Sequence, residues 1–78
     1  MEKVAIVTGS SSGIGYETSL ALARDGFYTF ATVRNPKKAD KILQVAKKEN
    51  LNIEIVELDV DNEKSISTAI EKIISKKQ

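Results

Sequence analysis

Val4-Ala-Ile-Val7 is a short apolar run that opens directly into Thr8-Gly-Ser-Ser-Ser-Gly-Ile-Gly15, with glycines at positions 9, 13 and 15, and a helical pattern begins as that loop ends. Four consecutive apolar residues without polar alternation suit a parallel strand covered on both faces. The glycines let the chain turn sharply and bring backbone close to a ligand. At a helix start, unpaired N–H groups and the positive end of the macrodipole point outward, so the matching ligand is an anion such as a pyrophosphate, held without a charged side chain in the loop. Ser10, Ser11 and Ser12 add candidate hydroxyl donors. A triphosphatase P-loop would end in Gly-Lys-Ser/Thr, and this loop ends Gly-Ile-Gly. A bare strand-to-helix turn without a ligand is the plainer alternative.

The chain has 78 residues, enough for one small domain with a thin core. It contains no cysteine and no histidine, which removes disulfides, thiolate sites and the commonest metal ligand and general base, and no metal site is expected. No apolar stretch approaches the roughly 20 residues of a membrane span, and no signal-peptide core precedes the first strand. A cytoplasmic location without membrane contact is therefore expected. A formal net charge of +1 argues against nucleic acid as a main partner. The charges are uneven, however: Arg34, Lys37, Lys38, Lys41, Lys47 and Lys48 stand in one stretch with only Asp40 between them.

After the glycine loop, Ile14, Thr18, Ala21, Leu22 and Asp25 recur at helical spacing and Gly26 stands at a C-cap position, predicting a helix over Ile14 to Asp25. Phe27 to Val33 is aromatic and β-branched, a second strand closed by Arg34-Asn35-Pro36. Asn35 as cap and Pro36 at the first helical position introduce a second helix to about Lys48, with Ala39, Ile42, Leu43 and Ala46 as its apolar stripe. Ile53 to Leu58 reads as a third strand. Asp61 or Asn62 then caps a last helix that buries Ile66, Ala69, Ile70 and Ile73. The order is βαβαβα, which implies an α/β fold: half of a doubly wound Rossmann sheet, three parallel strands in the order 3-2-1, with residues 1–78 forming one dinucleotide-binding segment.

Thr8-Gly9-Ser10-Ser11-Ser12-Gly13-Ile14-Gly15 resembles the T-G-x-x-x-G-x-G signature of short-chain dehydrogenases/reductases, and its spacing differs from the T-G-x-x-G-x-x-G of the extended branch. The likeness covers essentially the whole chain, since Gly26, a basic residue just past the second strand and Leu58-Asp59-Val60 follow in the family's order. The resemblance implies that Gly9, Ser11, Ser12, Gly13, Ile14 and Gly15 hold the cofactor's phosphates, that Asp59 binds the adenine amino group, and that Val60 adds a backbone contact. A strand-end carboxylate that merely helps cap the next helix is the plainer reading of Asp59. An NAD site places an acid at the adenosine ribose, whereas an NADP site needs a cation for the 2′-phosphate. Thr32 stands about where the acid would be, and Arg34 resembles the basic position of NADP-preferring members, so NADP(H) is expected over NAD(H). The lysines beyond it are read as the wet face of the second helix, with Lys37 and Lys38 adding to the local potential.

The family's reaction uses a tyrosine with a lysine four residues later. Here Tyr16 is followed at that distance by Leu20 and Tyr28 by Thr32, so no catalytic residue is assigned. The expectation is the NADP(H)-binding N-terminal segment of a longer oxidoreductase acting on a carbonyl or alcohol, inactive by itself, with the substrate unreadable from these residues. In the order 3-2-1 the first strand has a free apolar edge, to be covered by the remainder of the enzyme or by a second copy. Two other readings stay open: a stand-alone dinucleotide-binding or regulatory module, and a remnant that associates through that edge and binds nothing.

Overall fold

The computed structural model describes residues 3–10 and 13–76; Ser11 and Ser12, two of the expected phosphate-loop residues, lie outside the described residues. Strand β1 (Val4–Val7) leads into helix α1 (Gly13–Arg24), and strand β2 (Tyr28–Val33) into a 3₁₀ turn (Pro36–Ala39) continuous with helix α2 (Asp40–Glu49). Strand β3 (Ile53–Glu57) and helix α3 (Glu63–Lys76) complete the order. The three strands form one parallel sheet in the order β1-β2-β3, with Val4 opposite Tyr28 through Val7 opposite Ala31, and Thr29 opposite Ile53 through Val33 opposite Glu57. This is the expected α/β half-sheet.

The central strand explains the core. Every residue of β2 after Tyr28 is buried, because β2 has a neighbour on each side and helices on both faces. Its alternate residues serve two clusters, as strand pleating requires. Ala31 and Val33 pack with Leu20 of α1 and with Ala39 and Ile42 at the start of α2; Phe30 packs with Val56 of β3 and with Ala69 and Ile73 of α3. Phe30 and Ile42 are among the largest side chains fully removed from water, and each contributes about 1.5–3 kcal/mol relative to an exposed position.

Several faces differ from the sequence pattern. The α1 stripe expected at Ile14, Thr18, Ala21, Leu22 and Asp25 is displaced: Ser19, Leu20 and Ala23 are buried, while Ile14 is 86% exposed. Gly15, Ser19 and Ala23 stand at i, i+4 and i+8, so the helix presents its small residues inward and approaches the sheet closely there. Hydrophobicity alone misses this, because the ridge that permits contact is glycine, serine and alanine. Strand β1, expected to be covered on both faces, is covered on one only. Val4 is 41% and Ile6 56% exposed, since the α3-side cluster contains residues of β2, β3 and α3 and none of β1. On α2 and α3, Leu43 and Ile70 are exposed instead of buried, and Ile66 is half-buried.

The helix starts follow their caps. Asn35 Oδ1 accepts the Lys37 N–H at 3.1 Å with Pro36 in the first position, and a tight 3₁₀ turn precedes α2. Of the two candidate caps for α3, Asn62 is the one used: its Oδ1 accepts the N–H groups of Lys64 and Ser65 at 3.0 and 3.2 Å. Asn50 ends α2 in the left-handed conformation at φ 57.

Helices α1 and α2 are joined at the surface by a two-pronged ion pair, Arg24 Nε and Nη2 donating to Glu49 Oε1 and Oε2 at 2.8 and 2.6 Å. That hydrogen bonding, which outweighs the opposing effect of desolvation, holds the Glu49 carboxyl below the usual carboxylate range. A carboxyl depressed in the folded state stabilises above its unfolded pKa, and that contribution is lost as pH falls through the folded value. Glu49→Gln should therefore lower the melting temperature at neutral pH, and its difference from the parent should shrink on acidification below about pH 4 and disappear once the carboxyl is protonated, as thermal unfolding followed by circular dichroism would show.

Candidate functional site

Because the strands are parallel, their C-terminal ends lie along one edge of the sheet, and the segments that follow them meet there. Residues Gly9, Arg34, Leu58, Asp59, Val60 and Asp61 line a single hollow of about 140 Å³. Three connections that are distant in sequence thus converge on the same place.

The glycine loop is shaped by backbone requirements. Gly9 and Gly13 both have φ of +63, a conformation that other residues adopt only with strain, and among the described residues a Cβ added at either would meet nothing within 4 Å. Gly15 is the opposite case: a Cβ there would fall on the Gly9 carbonyl oxygen and lie 2.7 Å from the Gly9 carbonyl carbon and 2.9 Å from the Thr8 oxygen. The first turn of α1 is seated directly on the end of the β1 loop, which only glycine allows.

Ser10 has a different role from the expected ligand donor. It is fully buried; its N–H donates to Thr32 O at 2.9 Å and its hydroxyl to Val7 O at 3.0 Å. The Ser19 hydroxyl donates to Gly15 O at 2.8 Å and lies 3.1 Å from the Ser10 hydroxyl. These bonds tie the loop to β2 and to α1, so the Ser10 hydroxyl is committed to the scaffold. Ile14 stands exposed on the first turn of the helix, and a helix start of this kind is suited to hold an anion.

The other part of the hollow is built from the ends of β2 and β3. Leu58 N–H donates to Val33 O at 2.8 Å, which extends the strand pairing to the hollow. Asp59 follows, with a partly buried side chain. Its N–H donates to Ser65 Oγ at 2.9 Å, its carbonyl accepts the Asn62 N–H at 3.0 Å, and its Oδ1 accepts the Asp61 N–H at 3.0 Å. Asp59 therefore organises the turn into α3 while also lining the hollow. Val60 is exposed beside it. Arg34 reaches over from the end of β2, its Nε 3.8 Å from Asp59 Oδ1 and its Nη2 3.8 Å from Asp61 Oδ2. Asp61 is the site residue that sequence reasoning missed; it was legible only as a helix-cap candidate. Thr32 is buried, and its hydroxyl donates to Val7 O at 2.9 Å, so that side chain is turned into the sheet. Lys37 and Lys38 lie on the 3₁₀ turn and do not line the hollow, and Lys41 sits 5.4 Å from the centre of the Tyr16 ring. Among the described residues no cluster of potential metal ligands occurs, and no helix is long and apolar enough to cross a membrane.

A Rossmann-type half-sheet with a glycine loop under the first helix and an acid past the third strand defines a dinucleotide-type α/β segment. The short chain dehydrogenase family profile matches residues 3–78, and the chain belongs to that family. It is similar to the uncharacterized oxidoreductase YusZ of Bacillus subtilis, 45% identical over 67 residues, which is 83% of this chain and 24% of that protein. It is also similar to human polyprenol dehydrogenase, 37% identical over 78 residues, covering 97% of this chain and 24% of the relative. The crystal structure of gox2181 superposes on 96% of the chain with a TM-score of 0.90 at 28% identity, using 29% of that structure. The chain thus spans about a quarter of the length of the relatives it matches.

The seating of Gly15 yields a direct test. An alanine placed in a helix normally stabilises by about 1 kcal/mol over glycine. Gly15→Ala should instead destabilise by about 1–3 kcal/mol, because Gly9 or the first turn of α1 must move to admit the methyl group. Urea unfolding should show a lower midpoint.

Proposed function

We propose that this chain is the NADP(H)-binding segment of a short-chain dehydrogenase/reductase-like oxidoreductase that acts on a carbonyl or alcohol carbon. The family binds a nicotinamide dinucleotide, and the residues present fit one. The first turn of α1 and the open φ-positive positions Gly9 and Gly13 suit the pyrophosphate, with Ser11 and Ser12 as hydroxyl donors. Leu58 and Val60 supply apolar surface to the adenine, and Asp59 accepts from its amino group. Ile14, exposed at the loop, offers an apolar surface to the cofactor on the other side of the pyrophosphate. The bound nicotinamide would supply the hydride. The residues of this chain hold and orient the cofactor; the groups that move a proton to or from the substrate are assigned to a part of the enzyme outside these 78 residues.

The observation that carries the choice of NADP is Arg34. Its side chain lines the hollow, and Thr32, which stands about where an NAD-type acid would be, has its hydroxyl committed to Val7 O. A guanidinium can grip a phosphate with two parallel hydrogen bonds. Val4 and Ile6 on β1 and Ile70 and Ile74 on α3 are exposed apolar side chains, which the rest of the enzyme, or a second copy of the chain, would cover.

Calorimetric titration tests this reading. The unsubstituted chain should bind NADPH more tightly than NADH. Arg34→Glu should weaken NADPH about 10- to 100-fold, the value of hydrogen bonds to a charged group, and change NADH much less. Equal affinities for the two cofactors before and after the substitution would overturn the NADP assignment.

A further inference from the structure

Arg34 does not stand alone at the ribose end of the site. Two of its three guanidinium nitrogens, Nε and Nη2, are each 3.8 Å from a different carboxylate, Asp59 and Asp61 respectively. The two acids are unequal. Asp59 is partly buried and bound into the turn, whereas the Asp61 side chain is 80% exposed and its N–H is fixed to Asp59 Oδ1. That local bond orients the Asp61 backbone beside the arginine while the Asn62 side chain does the helix capping. The Asp61 carboxylate is thus free of a capping duty and faces the same hollow as Arg34.

We propose, on the basis of the dinucleotide reading above, that Asp61 is a specificity-determining residue that opposes Arg34, limiting the preference for a 2′-phosphorylated cofactor and favouring one with a free 2′-hydroxyl. The pair between two side chains that are 75% and 80% exposed is weak, so an arriving phosphate can displace it. Displacement leaves the Asp61 carboxylate beside a group carrying about −1.5 to −2 charge, and the two repel. A 2′-hydroxyl carries no charge and can donate a hydrogen bond to the same carboxylate. Arg34 and Asp61 therefore push selection in opposite directions, and their balance sets the ratio of affinities.

The test uses the 78-residue chain and its Asp61→Asn variant, each titrated calorimetrically with NADPH and with NADH at low and at high salt. Asparagine keeps the size and the backbone hydrogen bond of Asp61 and removes only the charge. The NADPH affinity should rise about three- to tenfold, as expected for removing one like charge a few ångströms from the phosphate in a near-aqueous environment, and the gain should shrink at high salt. NADH affinity should stay the same or fall slightly. An unchanged NADPH-to-NADH ratio in the variant would overturn the role of Asp61 and leave the dinucleotide reading intact. Failure of the unsubstituted, folded chain to bind either cofactor would overturn both.

Discussion

The contact between Gly15 and Gly9 is the constraint on which the rest of the site depends. With no side chain between them, the first turn of α1 rests on the carbonyl at the end of the β1 loop, and this fixes both the height and the rotation of the helix. The rotation then decides that Ser19 and Ala23, on the same ridge as Gly15, face the sheet, and that Leu20 beside them enters the cluster of Ala31 and Ile42. The height decides where the free N–H groups of the helix start are offered. A helix held farther from the strand by one methyl group would keep its apolar contacts only by tilting, and its N-terminus would leave the sheet edge.

The buried serines belong to the same device. Ser10 and Ser19 have no exposed surface, and their hydroxyls are bonded to Val7 O and Gly15 O. Among the described residues no buried side-chain polar atom is left without a partner, so these groups are held inside the fold without the penalty of an unmade hydrogen bond. Thr32 adds a second bond to the end of β1, its hydroxyl sharing the Val7 carbonyl with that of Ser10. The glycine loop is thereby braced by the buried side chains of Ser10, Ser19 and Thr32. A loop whose backbone N–H groups must point at an anion gains from such bracing, because less conformational freedom is lost on binding.

The sequence made the element order, the parallel sheet and the glycine loop legible because each has a local signal: apolar runs with turn residues between them, cap residues and glycine spacing. Arg34 and Asp59 were legible by their place after a strand. What escaped was set by tertiary approach. The inward ridge of α1 is made of glycine, serine and alanine, which no hydrophobic period marks, and Ile14, expected on the buried stripe, is exposed. Ser10 reads as a loop hydroxyl like Ser11 and Ser12, yet its side chain turns inward because β2 offers a carbonyl beneath it. Asp61 was hidden by its neighbour: Asp and Asn are both good caps, and only geometry shows that Asn62 takes the helix and leaves Asp61 to the arginine.

The division between Asp59 and Asp61 puts a folding role and a proposed recognition role side by side in one short segment. Asp59 is committed through its N–H, its carbonyl and its Oδ1 to the turn that starts α3, so its carboxylate is held in place before any ligand arrives. Asp61 and Arg34 are the exposed pair above it, joined by a contact too long and too hydrated to hold either side chain rigidly. Positions that order the backbone therefore sit below, and positions that choose between ligands sit above, where a change of charge alters affinity while the fold beneath is undisturbed. In a segment this small, with one thin cluster on each face of the sheet, that separation is what lets the site's charge vary without drawing on the stability of the core.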